Sequence, residues 1–360
     1  MSDPQLPKAS LYVYKRSIWS AVPLLALEEK GYGPDEVIIK QVDLSEGDNF
    51  TPSYLRVNHN GTVPTLVVPL STTLDPEIES RYKAIRDTKA CHVAIVEFLD
   101  KSRSPQSHTH TTSAAPAPVL APATIAFVTA SNKVIELLHS DAGNPNELMW
   151  LNARDDSELA ELSAQFVPFL TSKIRALDEL IEGNKNAEVK VSEKTVLFWE
   201  NKRLATMAIL DVLKDGAKGS QELDASAQLK RDEYFKAARS AWFNVRDVFM
   251  QLHKEMIGPY VLGDQLSVAD LHLAAWLARL AMLSGATASD DGNTIVRKIE
   301  AHVGNGFGLP KDFSVAEARR RSGLPTLNIP PNERQSRFAA FWDAMKERSS
   351  WKKVYADDLH

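Results

Sequence analysis

The first hundred residues alternate short apolar runs with one helical stretch. Ser10-Leu11-Tyr12-Val13-Tyr14 is a β-type run, 21–30 reads as a helix ending at Gly31, and Val37-Ile38-Ile39-Lys40-Gln41-Val42 reads as a second strand. Pro23 falls in the first turn of that helix, where its missing N–H does no harm. A turn cluster, Asn58-His59-Asn60-Gly61, leads through Thr62-Val63-Pro64 into the apolar run Thr65-Leu66-Val67-Val68. Pro64 therefore stands at the first residue of a strand, where no ladder hydrogen bond is lost, and its peptide bond is a candidate for the cis form. A short strand over 82–85 and an apolar helix over 91–99 follow. The order is strand, helix, strand, short helix, Pro-led strand, strand, helix, which is an α/β pattern.

From residue 123 onward the pattern is helical. Leu159, Leu162, Phe166, Phe169, Leu170, Ile174, Leu177 and Ile181 recur at helical spacing over 158–181, and 198–213 and 237–257 read as further helices. Ser267-Val268-Ala269-Asp270 is a capping box with an acid in its fourth position and Leu266 as its staple, ahead of a helix over 271–282. Asp270 is read as structural. Between the two regions, 102–122 is rich in Ser, Thr, Pro and His without periodicity and reads as a mobile linker; 69–82 reads as a surface excursion. The expected division is an α/β domain over 1–101, a linker over 102–122 and an all-α domain over 123–360. That last domain carries charged loops at 183–195 and 214–230 and an insertion at 304–332. Ala318-Arg319-Arg320-Arg321 in the insertion reads as a solvated helix face.

Composition narrows the function. A length of 360 residues implies two domains, and 44% apolar residues suffice for sizeable cores. A net charge of −5 argues against nucleic acid as a main partner. No apolar run reaches the ~18 residues of a membrane span, and Met1 to Ser10 are polar, so neither a span nor a secretory signal is expected. Cys91 is the only cysteine, which excludes an intrachain disulfide and fits a reducing, cytoplasmic compartment. His108 and His110 have no cysteine or acid nearby, and no metal site is expected.

These segments resemble the thioredoxin-like N-terminal domain of the glutathione transferase superfamily, nearest to the serine-type classes (phi, tau and theta kinds) and to fungal transferase-like proteins. The likeness covers roughly residues 10–100. It recurs in Gly263-Asp264-x-x-Ser267-x-Ala269-Asp270 and in the late stretch from Phe341-Trp342 to Arg348-Ser349-Ser350-Trp351. The resemblance implies a thioredoxin-like α/β domain followed by an all-α helical domain. It also implies glutathione as co-substrate and a small hydrophobic electrophile as its acceptor, and it leaves a homodimer open.

Residue by residue, the resemblance implies that Ser17, at the entrance to the first helix, donates a hydrogen bond to the glutathione sulfur and stabilises the thiolate. The alternative is that Ser17 simply caps the helix, and one residue can serve both ends. Ser20 is the second candidate donor, and Tyr14 and Trp19 border the substrate pocket. Ser17 and Ser20 stand where redox relatives of this fold carry a Cys-x-x-Cys pair, and a serine cannot form a mixed disulfide. Thiol–disulfide catalysis is therefore rejected, and Cys91 reads as a packed thiol. Val63 and Pro64 imply the backbone docking edge. Asp87 and Thr88 imply the grip on the γ-glutamyl end, or else an N-cap, with Cys91 and His92 as an alternative register. Asn49 and Thr62 align with groups that hold the glycyl carboxylate, although Asn49 is equally plain turn chemistry. The expected activity is transfer of glutathione to an electrophile. A non-catalytic ligand-binding or assembly protein on the same scaffold, and a pathway-specific thioether-forming or ether-cleaving enzyme, are the alternatives.

Overall fold

The computed structural model describes residues 8–69, 82–87, 93–103, 117–326, 328–330 and 332–360. Strand β1 (Ala9–Val13) alternates, with Leu11 and Val13 buried. It leads through a short turn into α1 (Ile18–Glu29), followed by β2 (Val37–Gln41) and the short helix α2 (Pro52–Val57). Next come β3 (Thr65–Pro69), β4 (Tyr82–Arg86) and α3 (Ala94–Ser102). The four strands lie in the order β2-β1-β3-β4. β3 runs antiparallel to β1, with Tyr12 opposite Thr65, and antiparallel to β4, with Thr65 opposite Arg86. Ile38 and Ile39 of the edge strand β2 are exposed.

The helices that follow are α4 (Ile125–Leu138), α5 (Pro145–Trp150), α6 (Asp156–Lys185), α7 (Glu193–Leu213), α8 (Ala225–Glu255), α9 (Val268–Leu283) and α10 (Gly292–Val303). After them come β5 (Phe313–Ser314), α11 (Val315–Arg321), β6 (Arg334–Gln335), α12 (Arg337–Lys346) and α13 (Ser349–Val354). The fold is an α/β region built on the four-stranded sheet, followed by a mainly helical region. One departure from an all-α reading is the two-residue antiparallel ladder of β5 with β6, which closes the inserted segment 304–332.

Several bounds differ from expectation. Helix α1 starts at Ile18, because Ser17 already accepts from Ser20 N as its cap. Pro23 thus lies in the second turn, where it offers no N–H to the Trp19 carbonyl. Helix α8 starts twelve residues before 237. Its first turns are polar helix formers with no apolar period, capped by Asp224 Oδ1 on Ala227 N at 2.8 Å. Helix α3 begins at Ala94; Cys91 and His92, like His108 and His110, lie outside the described residues. In the basic run of α11, Arg320 is exposed and pairs with Glu317 at 2.8 Å, whereas Arg321 is bonded to Asp264 at 2.5 Å.

By contact density the chain forms two compact units, one of 1–40, 64–145 and 243–360, the other of 41–63 and 146–242. This grouping differs from the division at 101 and 123, which stands as a proposal about sequence-contiguous domains. In the first unit α1 packs on α3, α9 and α13, and α4 packs on α9. Helix α9 is buried nearly all round, with Trp276 Nε1 donating to the Gly143 carbonyl at 2.7 Å. Lys30 and Asp100 form a buried ion pair at 2.7 Å. Asp100 also accepts from Leu120 N and Ala121 N, both at 3.0 Å, and Lys30 Nζ donates to the Pro118 carbonyl at 2.6 Å. The last residues of the 102–122 stretch are therefore tied down by a buried charge pair.

In the second unit α6 and α7 pack along each other. One cluster there joins Phe50, Leu177, Ile181 and Trp199, with Trp199 Nε1 donating to the Phe50 carbonyl at 2.9 Å. A second joins Leu159, Leu162, Leu170, Leu213, Tyr234 and Ala238. No helix among the described residues is long and apolar enough to cross a membrane.

Candidate functional site

The strand register gathers one set of expected residues. Thr65 stands opposite both Tyr12 and Arg86, so Pro64, Asp87 and Val13 each adjoin a ladder-end residue directly in sequence at the same end of the sheet. The end of β1 then turns into α1 through Tyr14 and Ser17. Ser17 N donates to the Tyr14 carbonyl at 2.9 Å, and Tyr14 N donates back to Ser20 Oγ at 3.4 Å. The Ser17 backbone is extended (φ −85°, ψ 117°), and its hydroxyl oxygen accepts from Ser20 N at 3.4 Å.

The two serines differ in access. Ser20 is 1% exposed, and its hydroxyl is engaged by the strand end. Ser17 is half-buried; its oxygen takes the cap bond, and its O–H makes no bond among the described residues. A hydroxyl that accepts from a helix N-terminus and still has its proton to give is polarised for donation to an anion. Behind this turn the guanidinium of Arg279, from α9, donates through Nη2 to the Arg16 carbonyl at 2.7 Å. Burial lowers the Arg279 pKa to about 10, with the Tyr355 charge opposing, so it remains a cation at neutral pH. Trp19 lies flat on His139, with ring centroids 3.8 Å apart and 19° between planes. His139 Nε2 in turn meets His272 Nδ1 at 3.0 Å. One face of Trp19 is therefore covered by this pair.

Asp87 follows β4 directly. Its Oδ1 accepts from Ile95 N at 3.1 Å, so it caps the start of α3 from eight residues upstream in sequence. Burial pushes its pKa up to about 7, against the pull of the Ile95 and Ala94 N–H groups. At neutral pH it is poised between acid and carboxylate, and an ammonium group beside it would favour the carboxylate. Thr88 lies outside the described residues.

Asn49, Thr62 and Val63 belong to the second unit. Asn49 is buried, and its Nδ2 donates to the Gly61 carbonyl at 2.7 Å while its Oδ1 is buried without a partner among the described residues. Its amide thus holds the turn, which is the plain turn role. Thr62 is exposed; its carbonyl accepts from Tyr54 Oη at 2.7 Å and Asn58 Nδ2 at 2.8 Å. Val63 is half-buried and Pro64 buried. Gly61 has φ +60°, and a Cβ there would sit 3.1 Å from both the Asn49 carbonyl and the Phe198 ring. Only glycine fits that turn without strain.

Arg279, His139 and His272 were not singled out from sequence. His272 and Arg279 are seven residues apart in α9, hence on one face of the helix. Two long polar groups on one stripe of an otherwise apolar helix are a signal that could have drawn attention. Among the described residues no group of three or more His, Cys, Asp or Glu could hold a metal ion.

No family model matches the chain. Two other comparisons return similar proteins. Over 64 residues, 18% of this chain, it is 47% identical to a tetrachloro-p-hydroquinone reductive dehalogenase of Sphingobium chlorophenolicum. Over 67 residues it is 40% identical to a zeta-class glutathione S-transferase of Euphorbia esula. The chain spans about a quarter of the length of these curated relatives, 25% and 28%. Among solved structures it is similar to Gtt2 from Saccharomyces cerevisiae, with TM-score 0.45 and 16% identity over 96% of this chain and 99% of that one. It is likewise similar to the β-etherase LigF from Sphingobium sp. strain SYK-6, with TM-score 0.47 and 14% identity over 97% and 99%.

Proposed function

We propose that the protein binds glutathione at the sheet end formed by Pro64, Asp87 and the Ser17 turn and acts as a glutathione-dependent transferase. The half-buried Ser17 hydroxyl carries the reading, because it caps α1 through its oxygen and keeps its proton to donate. The short sequence likeness to a zeta-class glutathione S-transferase supports a glutathione-dependent reaction.

Ser17 O–H and the N-terminus of α1 hold the glutathione sulfur as thiolate, with the Arg279 cation behind the turn adding to the positive field. The edge at Val63-Pro64 takes backbone-like groups of the tripeptide. Asp87, with Thr88 beside it in sequence, takes the γ-glutamyl amine. The thiolate then attacks a small hydrophobic electrophile, forming the carbon–sulfur bond as the leaving group departs with its electron pair. Holding the two reactants together supplies much of the rate. Ser20 supports the turn and does not touch sulfur. The single cysteine fits a cytoplasmic setting.

Calorimetric titration with glutathione tests the reading. Saturable binding at millimolar ligand or below is expected in the wild-type protein, and no heat at millimolar ligand contradicts it.

A further inference from the structure

Within the second unit two lysines share one aromatic floor. Phe50 and Phe198 have ring centroids 6.1 Å apart. Lys173 Nζ, from α6, lies 5.6 Å from the Phe50 centroid, and Lys202 Nζ, from α7, lies 5.4 Å from that of Phe198. The Phe198 ring abuts the Gly61 turn, next to Asn49. Cation–π contacts of this kind contribute modestly beside a true counter-ion.

The cations next to them on the same helices are treated differently. Arg175 pairs with Glu46 at 3.5 Å and with Glu179 at 3.9 Å, and Arg203 pairs with Asp178. Among the described residues, Lys173 and Lys202 have no carboxylate within ion-pair distance. Burial, and after it the charge of Lys202, lower the Lys173 pKa to about 8. Two half-buried ammonium groups over adjoining rings, with no carboxylate in reach among the described residues, gain when an anion joins them. Alternatively the lysines simply cover the rings with their stems, but that role leaves two half-buried charges without a carboxylate among the described residues.

We propose that Lys173 and Lys202, above Phe50 and Phe198 beside the Asn49–Gly61 turn, form an anion site that takes a small carboxylate. The carboxylate is either that of a peptide-like ligand such as glutathione or that of a separate acidic substrate. The site stands whether or not the protein is a transferase.

The test follows the Lys173 side-chain 13Cε resonance by NMR against pH, assigned with Lys173→Met. Saturating acetate is expected to raise the Lys173 pKa by about one unit, a tenfold preference of the anion for the charged lysine. Acetate affinity should then fall as pH rises above about 8. Lys202→Met should raise the Lys173 pKa without ligand and weaken acetate binding about tenfold, with unfolding unchanged. An upward shift with glutathione, absent when its glycyl carboxylate is esterified, supports the site and assigns its anion to the tripeptide. A shift with acetate but not glutathione supports the site and assigns it to a separate acid, leaving glutathione binding to the calorimetric test. A Lys173 pKa unmoved by both, in protein whose folding is intact, overturns the proposal.

Discussion

Replacing Asp270 by alanine tests how the start of α9 is held. Asp270 is fully buried and accepts three hydrogen bonds: Val261 N at 2.7 Å, Ser267 N at 2.7 Å and Ser267 Oγ at 2.6 Å. The Ser267 hydroxyl can turn to another acceptor, but the two backbone N–H groups cannot. At roughly 1–3 kcal/mol for each buried donor left unsatisfied, the loss is about 2–6 kcal/mol, above the ~1 kcal/mol of an exposed cap. An opposing effect moderates it. Burial raises the Asp270 pKa from 3.8 to about 6, against the pull of its three donors and of Arg348. Keeping this carboxylate ionised at pH 7 therefore costs about 3 kcal/mol, a cost alanine removes. A raised carboxyl contributes stability that is full below its unfolded pKa and is lost as pH rises through the folded one. Wild type loses that contribution between about pH 4 and 6, and Asp270→Ala has none to lose. The deficit of the variant should be larger at pH 4 than at pH 7 by about 2–3 kcal/mol. Urea unfolding of both proteins at the two pH values, followed by circular dichroism, measures this. An equal deficit at both would refute the ionisation reasoning; no deficit at either would refute the structural role of Asp270.

Two further outcomes concern the sheet end. Asp87, raised to about 7 by burial, favours glutathione's amine only when ionised. Glutathione affinity should therefore rise with pH through about 7, and Asp87→Asn should flatten that profile in calorimetry. The same shift makes Asp87's contribution to folding stability fall as pH climbs from its unfolded value toward 7. Pro64→Ala frees the backbone at the docking edge and should weaken glutathione binding several-fold, on the order of 1 kcal/mol. Helical circular dichroism should stay unchanged, and undiminished binding would remove Pro64 from the site.

Much of this was legible in local pattern. Alternation at Leu11 and Val13, the turn at Asn58–Gly61 and the proline ahead of Thr65 carry the α/β order, because each depends on neighbours in sequence. Ser17 as a cap and the Ser267–Asp270 box were legible for the same reason. The start of α8 was not, since residues 225–236 are helix formers without an apolar stripe. The Lys30–Asp100 pair joins groups seventy residues apart, and nothing local marks either as buried. Lys173 and Lys202 stand over neighbouring rings only because α6 and α7 pack side by side. Ser17 and Ser20 looked alike in sequence; burial and the Tyr14 N–H separate them.

The central claim is that Ser17 holds a glutathione thiolate. Thiolate absorbance of bound glutathione, titrated against pH in wild type and in Ser17→Ala, tests it most directly. Loss of the donor should raise the bound thiol's pKa by about one unit and slow transfer to a generic aromatic chloride ~10-fold, about 1.4 kcal/mol, with glutathione affinity little changed. Identical thiolate titrations in the two proteins would contradict the assignment.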